Sequence, residues 1–282
     1  MPPTLHCVRH AQVRFPKVPW ERMHALLDET DMHTITQGFH NLSAENYNMH
    51  DPSLTPHGES QCSQLFTDFA YPSPSSASSP LVIASPLHRT LATALLAFPT
   101  LISAERPIIA FPLIQETSDL PCDTGSDVEV LKQEYGDNPK VDLSLVHEGW
   151  NDKSGTYAPT ARAIEDRARS ARQWLRARTE QDVIVVTHGG LLHYLTGDWA
   201  GSAKFDGTGW ANCEFRSYRF VDSDEEQEGA PPENAGILET DESRRRRRGT
   251  EKPWTKEETA QFKETASKEW EAQGFQRAAE KN

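Results

Sequence analysis

Arg9 and His10 are the first residues in the chain whose types and spacing point to chemistry. They directly follow the apolar segment Leu5-His6-Cys7-Val8, which predicts a buried strand. In open α/β sheets, ligands bind at the carboxyl ends of strands. Neutral histidine is a competent nucleophile near neutral pH, and arginine donates paired hydrogen bonds to phosphoryl oxygens. This pair therefore indicates a phosphate site, although the stretch alone also fits a histidine that ends a strand beside a solvated arginine.

The same arrangement of polar side chains after an apolar segment occurs three times. The polar residues are Arg9 and His10 after residues 5–8, Ser85 and Arg89 after residues 81–84, and His188 and Gly189 after residues 182–187. Parallel strands bring their carboxyl ends to one sheet edge, so we expect the three groups to converge there. Two arginines and two histidines around one point would form an anion site. A helix starting at Gly189 would add backbone N–H donors.

The elements that must position these residues alternate along the chain. We predict strands at 81–84, 108–111 and 182–187 and a last edge strand at 213–221, with helices at 56–70, 86–98, 127–135, 160–178 and 189–195. Thr55 and Thr160 are suitable N-caps, and we expect Ser85-Pro86 to start the second helix in the same way. Strand and helix alternation predicts an α/β fold, a three-layer αβα sandwich around a mostly parallel, doubly wound sheet.

Composition restricts the class of protein. The formal net charge of −13 argues against a general nucleic-acid surface. The Met-Pro-Pro start resembles no signal peptide, and no apolar stretch has the length of a membrane span. The four cysteines are scattered, which favours reduced thiols over a disulfide framework or a zinc site. We expect a cytoplasmic protein, with the nucleus as the alternative compartment, that has no membrane or nucleic-acid partner. The sequence has no signal for the oligomeric state.

The composition changes at residue 222. An acidic run at 222–228, Pro231-Pro232 and the five arginines Arg244–Arg248 predict a charged, solvated tail over 222–282, after one domain at 1–221. Residues 255–279 have the composition of a polar helix that we do not expect to pack on the domain. The arginine run is typical of a solvated charge cluster, with a nuclear localisation signal as the alternative.

Four motifs resemble those of the histidine phosphatase superfamily, also called the phosphoglycerate mutase-like family. They are Arg9-His10-Ala11, with Ala where the family has Gly, Leu54-Thr55-Pro56-His57-Gly58, Ser85-Pro86-Leu87-His88-Arg89-Thr90, and Val185-Val186-Thr187-His188-Gly189-Gly190. The resemblance covers residues 4–220. Gln115-Glu116 and Pro121-Cys122-Asp123 resemble the fungal and plant-like branch.

The resemblance implies a role for each matching residue. His10 would become phosphohistidine, and Arg9, Arg89 and His188 would hold the phosphoryl oxygens. Glu116 would protonate the leaving oxygen and then activate water, with Asp119 as a rival for that role. Such a clamp asks for no metal and no cofactor, since phosphoryl transfer depends mainly on positioning and preset positive charge.

One feature departs from the family pattern. The family has a phosphate-binding asparagine six residues after the nucleophile, where this chain has Pro16. Removing the 25 residues 13–37 would place Asn41 at that spacing and keep the reading frame. We therefore interpret 13–37 as an insertion. Our hypothesis is a translated intron, and the alternative is a genuine cap that includes the short helical pattern at 20–27.

These observations predict a metal-independent phosphatase that acts on a small phosphorylated molecule. The alternatives are a phosphoglycerate-type mutase and an inactive binding protein disabled by the insertion. The chain has no G-x-S-x-G elbow, no P-loop and no Rossmann glycine pattern, so other common α/β enzyme classes are unsupported.

Overall fold

The fold is built on one mixed sheet, as seen in a computed structural model that describes residues 1–13, 48–69, 79–202, 209–221 and 234–277. Its seven strands among these residues lie in the order β4-β3-β2-β5-β1-β6-β7. The strands are β1 Thr4–Arg9, β2 Leu81–Ala84, β3 Ile108–Ala110, β4 Val141–Asp142, β5 Asp182–Thr187, β6 Phe215–Phe220 and β7 Ile237–Glu239. Strands β1 to β5 pair in parallel, and β6 and β7 are antiparallel additions at one side. This confirms the mostly parallel α/β sheet.

Seven α-helices accompany the strands in the described part of the chain. They are α1 Pro56–Phe69, α2 His88–Ala97, α3 Val128–Tyr135, α4 Ala161–Arg176, α5 Gly189–Thr196, α6 Asp241–Arg248 and α7 Lys256–Ala272. The two threonine caps form as expected. The Thr55 hydroxyl accepts from the Gly58 N–H at 2.8 Å, and the Thr160 hydroxyl accepts from the Ala163 N–H at 3.4 Å. Each cap satisfies a first-turn N–H that has no partner within its helix.

The sheet separates two apolar cores, which gives the three layers. Alternate residues of β5 point to opposite faces, with Val183 and Val185 in one core and Ile184 and Val186 in the other. Buried side chains of α1, α2 and α3 fill one core, and those of α4, α5 and α7 fill the other. Because both faces are covered, β5 reads as a continuous apolar run rather than as an alternating one.

The start of helix α2 differs from the prediction. The helix begins at His88, and its N-cap residue Leu87 offers no side-chain hydrogen bond. The cap comes instead from Asp51, whose carboxylate accepts from the His88 N–H at 3.0 Å. Ser85, which we expected to cap this helix, is hydrogen-bonded to a histidine at the end of another strand. The carboxylate that caps α2 thus comes from a residue distant in the sequence, and no local motif indicates this contact.

The segment after residue 222 also differs from the expected solvated tail. Strand β7 pairs with β6 through Tyr218↔Glu239 and Phe220↔Ile237, so β6 is not the edge strand that we predicted. In α7, Ala266 and Trp270 are buried in the core that also contains α4 and α5. Residues 234–277 are therefore part of the folded domain. The error arose because this polar helix uses only a narrow apolar stripe, which a search for ordinary amphipathic patterns underestimates.

The arginine run is held by specific partners and is not a freely solvated cluster. In helix α6, Arg244 is buried and donates to the Glu251 carbonyl oxygen at 2.6 Å. Arg247 pairs with Asp198 at 3.0 Å and with Glu239 at 2.6 Å. The guanidiniums of Arg246 and Arg248 lie over the rings of Phe215 and Trp254. These contacts attach α6 to the sheet edge and explain the run by packing and charge pairing.

The proposed insertion falls almost wholly outside the described residues. Its first residue, Val13, is described, is 3% exposed and forms an antiparallel bridge with Leu54. Val13 thus belongs structurally to the domain core. Residues 14–37, the helical pattern at 20–27 and Asn41 lie outside the part of the chain that the structure describes.

Candidate active site

The three polar groups converge at the carboxyl edge of the sheet. The register pairs Arg9 with Thr187 across β1 and β5, and Ala84 with Val186 across β2 and β5. His10 therefore lies level with His188, and Ser85 lies within one residue of the same level. The imidazole rings of His10 and His188 are 5.2 Å apart between centroids. Adjacent parallel strands in register explain this convergence, as the sequence pattern predicted.

His10 is held in one tautomer by its two neighbours. Its Nδ1 lies 2.7 Å from the carbonyl oxygen of Ala11, which can only accept, so Nδ1 carries the proton. Its Nε2 receives the Arg89 Nε–H at 3.1 Å and so presents a lone pair. Burial, followed by the nearby positive charges of Arg89 and Arg9, lowers the pKa of His10 well below 6.5. The ring is therefore neutral, with its Nε2 lone pair directed toward a guanidinium.

The guanidinium of Arg89 is fixed from three sides. Besides its bond to His10, it donates to the Cys122 carbonyl oxygen at 2.6 Å and to the Asp123 carboxylate at 3.0 Å. Asp123 is itself held by the Ser118 hydroxyl at 2.5 Å. A positive group that is already oriented needs little rearrangement when an anion binds, which is the property that a phosphoryl clamp requires.

Arg9 and His188 each bring to this edge a buried nitrogen atom that has no hydrogen-bond partner among the described residues. These atoms are Arg9 Nε and His188 Nδ1. Arg9 is held at its other end by the Trp210 carbonyl oxygen, and His188 Nε2 by the Ser85 hydroxyl at 2.8 Å. Buried polar nitrogens usually have a partner, and an anion bound at this edge would supply one for both atoms. Gly189, the first residue of α5, is buried beside them.

Glu116 lies at the amino end of helix α5. Its carboxylate accepts from the N–H groups of Thr117 at 2.9 Å, Gly190 at 3.2 Å and Leu191 at 3.0 Å. Gly190 permits this approach, because a Cβ there would lie 2.5 Å from a Glu116 carboxylate oxygen. Burial first and the negative charge of Asp123 second raise the pKa of Glu116, against the opposing effect of Arg89. A raised pKa suits a carboxyl group that must donate a proton.

Asp119, the rival of Glu116, is placed differently. It forms an ion pair with Arg277, near the end of the described chain, and does not line the cavity beside Glu116. Asn41, the expected phosphate-binding asparagine, lies outside the described residues. Six of the seven expected site residues are therefore placed by the structure, and all six lie at this edge.

Three polar residues that were not predicted belong to the same region. Asp123 appeared in the sequence only as part of a branch motif, yet it anchors Arg89. Arg167, from the middle of α4, donates to the carbonyl oxygens of Gln115 at 2.6 Å and Glu116 at 3.3 Å. Lys153 donates to the Glu116 carbonyl oxygen at 3.0 Å, and burial, followed by the charge of Arg167, lowers its pKa to about 7. Neither Lys153 nor Arg167 belongs to a recognisable sequence motif, so the sequence did not indicate that they lie at this site.

The fold and these residues agree with a comparison of the sequence with protein families. The family model described as histidine phosphatase superfamily (branch 1) matches residues 33–228. The match covers more than half of the chain, so the chain belongs to the histidine phosphatase superfamily. It begins after β1, so Arg9 and His10 lie outside the matched residues. Membership supports an enzyme of the phosphatase or mutase type.

Two curated relatives are similar to the chain. A phosphoglycerate mutase-like protein of Arabidopsis thaliana is 29% identical over 252 residues, which cover 78% of this chain and 84% of the relative. A probable phosphatase of Schizosaccharomyces pombe is 29% identical over 144 residues, which cover 50% and 63%. A plant and a fungal relative agree with the branch that the motifs indicated.

Solved structures of the superfamily resemble the fold. Mycobacterial glucosyl-3-phosphoglycerate phosphatase is 16% identical with a TM-score of 0.45, covering 84% of this chain and 96% of that chain. Ecdysone phosphate phosphatase from the silk moth Bombyx mori is 17% identical with a TM-score of 0.48, covering 77% and 89%. These values describe similarity of fold only.

Two other kinds of feature are absent from the described residues. Within the described ranges, no helix has the length and apolar character needed to cross a membrane. Among the same residues, no group of three or more histidine, cysteine, aspartate or glutamate side chains is arranged to hold a metal ion.

Proposed function

We propose that the protein is a metal-independent phosphatase that hydrolyses small phosphate monoesters through a phosphohistidine on His10. The observation that carries this proposal is the fixed tautomer of His10, whose Nε2 lone pair lies against the Arg89 guanidinium. A phosphoryl group bound by that guanidinium would displace the Arg89–His10 hydrogen bond and place phosphorus beside the lone pair. The proposed nucleophile and the arginine that would bind the anion are thus in direct contact through one hydrogen bond.

The first chemical step would use His10 and Glu116. The Nε2 lone pair forms a bond to phosphorus while the bond from phosphorus to the ester oxygen breaks. Glu116 transfers its proton to that leaving oxygen, so the alcohol departs neutral. Arg9, Arg89 and His188, together with the N–H group of Gly189 at the start of α5, stabilise charge on the phosphoryl oxygens.

The second step would return the enzyme to its starting state. Glu116, now ionised, accepts a proton from water, and the resulting hydroxide attacks phosphorus. The N–P bond breaks, inorganic phosphate is released, and His10 recovers its lone pair. We assign the proton transfers to Glu116 and not to Asp119, because Glu116 lies beside the cavity and Asp119 is paired with Arg277.

The test is phosphate release in EDTA by the full chain and by the His10→Ala variant. We expect turnover of p-nitrophenyl phosphate by the full chain, an acid-labile phosphoryl group on the protein, and neither with His10→Ala. Turnover that requires an added divalent metal would contradict metal independence. Full activity of His10→Ala would contradict the role of His10. Binding of phosphate esters without turnover would identify the inactive binding protein.

A further inference from the structure

A cavity opens directly beside Glu116, and the C-terminal segment forms one of its walls. Trp270 of α7 and Phe275, just after α7, line it together with Glu116, Thr117, Ser118, Asp123 and Gly190. The two aromatic residues come from the region that the sequence predicted to be a solvated tail. The cavity therefore joins the proposed proton donor to an aromatic wall built by the end of the described chain.

The wall is held in place by contacts of the C-terminal segment. Trp270 is 3% exposed and packs in an aromatic cluster, 5.6 Å from Trp199 between ring centroids. The Phe275 N–H donates to the Trp270 carbonyl oxygen at 2.9 Å, so the two residues are tied together. Gln276 accepts from the Tyr194 hydroxyl at 2.9 Å. The wall is thus a fixed part of the domain.

The end of this segment is fastened close to the same site. The Arg277 N–H donates to the Pro159 carbonyl oxygen at 2.8 Å, and its guanidinium pairs with Asp119. Asp119 lies three residues after Glu116. This ion pair attaches the segment that carries Phe275 to the loop that carries Glu116, and both of these residues line the cavity. Phe275 thus lies between the buried Trp270 and the ion-paired Arg277.

The position of the cavity beside Glu116 indicates which part of a substrate would bind in it. A proton donor must lie within hydrogen-bond reach of the ester oxygen that leaves, so the alcohol part of the substrate must extend past the Glu116 carboxyl group. The lining contains two carboxyl groups and two aromatic rings, and no lysine, arginine or histidine among the described residues. The carboxylate of an acidic leaving group would find no positively charged side chain in this lining, whereas a flat apolar group would pack on the rings.

We propose that Trp270 and Phe275 form a leaving-group subsite that selects phosphate esters of apolar, ring-bearing alcohols over esters of small acids such as glycerate. This inference rests on the proposed phosphatase function. Trp270 and Phe275 act on specificity alone and take no part in the proton transfers. The aromatic wall decides which alcohol is held beside Glu116.

The test compares naphthyl phosphate with phosphoglycerate in three chains: wild type, Phe275→Ala and Phe262→Ala. Phe262 is the matched control, a half-buried phenylalanine of α7 whose ring packs on Trp254 and does not line the cavity. We expect Phe275→Ala to lower kcat/KM for naphthyl phosphate about tenfold, mainly through KM, and to change that for phosphoglycerate less than about twofold. Phe262→Ala should leave the ratio of the two substrates unchanged.

An equal loss on both substrates with Phe275→Ala would overturn the inference, since it would show a purely structural role. No loss on either substrate would overturn it as well. A binding measurement separates this inference from the proposed function. In the His10→Ala background, titration calorimetry with naphthyl phosphate should show an affinity about tenfold lower after Phe275→Ala. That result, with no turnover of any ester by the wild type, would reject the phosphatase and retain the subsite.

Discussion

His10 combines burial with two positive neighbours, and both lower its pKa. An ordinary histidine would be protonated, and so not nucleophilic, over much of the range below pH 6.5. At this site the cost of placing a third positive charge beside Arg9 and Arg89 keeps the ring neutral. The same two arginines that would bind the phosphoryl group therefore also protect the lone pair that attacks it.

The downward shift of the His10 pKa predicts how activity depends on pH in the acid range. Because the pKa of His10 is lowered, the nucleophile stays unprotonated as the pH falls through 6.5, and activity should persist below that value. The measurement is kcat/KM for p-nitrophenyl phosphate against pH, divided by the fraction of dianionic substrate. An acid limb with its midpoint at or above pH 6.5 would contradict the prediction that a lowered pKa keeps His10 unprotonated in the active enzyme.

The contribution of Glu116 to the rate should be larger for leaving groups that must be protonated as they depart. We expect Glu116→Gln to lower kcat for an alkyl phosphate about a hundredfold or more, since general acid catalysis contributes about 10²–10⁴. The loss on p-nitrophenyl phosphate should be much smaller, because nitrophenolate leaves without protonation. The matched control is Asp119→Asn, which should show no such dependence on the leaving group. The opposite pattern would assign the proton transfer to Asp119.

At the scale of elements, helix α5 supports both halves of the site. It follows β5 and His188 at once, and its first N–H groups reach Glu116 from one side of the sheet edge. Lys153 and Arg167 hold the backbone of the Glu116 loop from the other side. The carboxyl group is thus positioned by three separate elements, and its placement depends on close backbone approach.

Gly190→Ala tests that close approach. The new Cβ would lie 2.5 Å from a Glu116 carboxylate oxygen and 2.8 Å from the Thr117 hydroxyl, so the carboxyl group must move. A displacement of about 1 Å costs roughly a hundredfold in rate, and we expect a loss of that size on alkyl phosphates. Alanine favours helices, so the thermal midpoint should change little. A variant with unchanged kcat would mean that the contact of Glu116 with α5 has no catalytic importance.

At the scale of the whole molecule, the C-terminal region is integrated and not appended. Strand β7 extends the sheet, α6 is bound through its arginines, and α7 completes one of the two cores. The segment 13–37 separates the proposed nucleophile His10 from Asn41 in the sequence. Its first residue, Val13, is packed against the domain, and we retain the translated intron as a hypothesis for the segment.

A chain that lacks residues 13–37 tests this hypothesis. If the segment is a translated intron, the deletion restores the family spacing between His10 and Asn41, and kcat/KM for phosphate esters should rise. An additional Asn41→Ala change should then lower activity in the shortened chain. Lower activity of the shortened chain would favour a genuine cap. Sequencing of cDNA gives an independent answer, since transcripts that all keep these codons would rule out the intron.

The sequence by itself determined the mostly parallel α/β class of the sheet, five of its seven described strands, and the convergence of Arg9, Arg89 and His188 at one sheet edge. These features follow from local rules, because apolar runs form buried strands, threonines cap helices, and parallel strands present their carboxyl ends together. The same rules failed at Ser85, where the hydroxyl bonds to His188 and a distant carboxylate caps the helix.

Only the tertiary structure decided which partners complete the site. Arg277 meets Asp119 across 158 positions of sequence, and Trp270 reaches the cavity beside Glu116 from a helix of mostly polar residues. Such contacts depend on which surfaces the folded sheet leaves uncovered, and no local pattern encodes them. The sequence could therefore indicate the residues of the proposed phosphate clamp, while the shape and apolar character of the adjoining cavity arose from packing between distant parts of the chain.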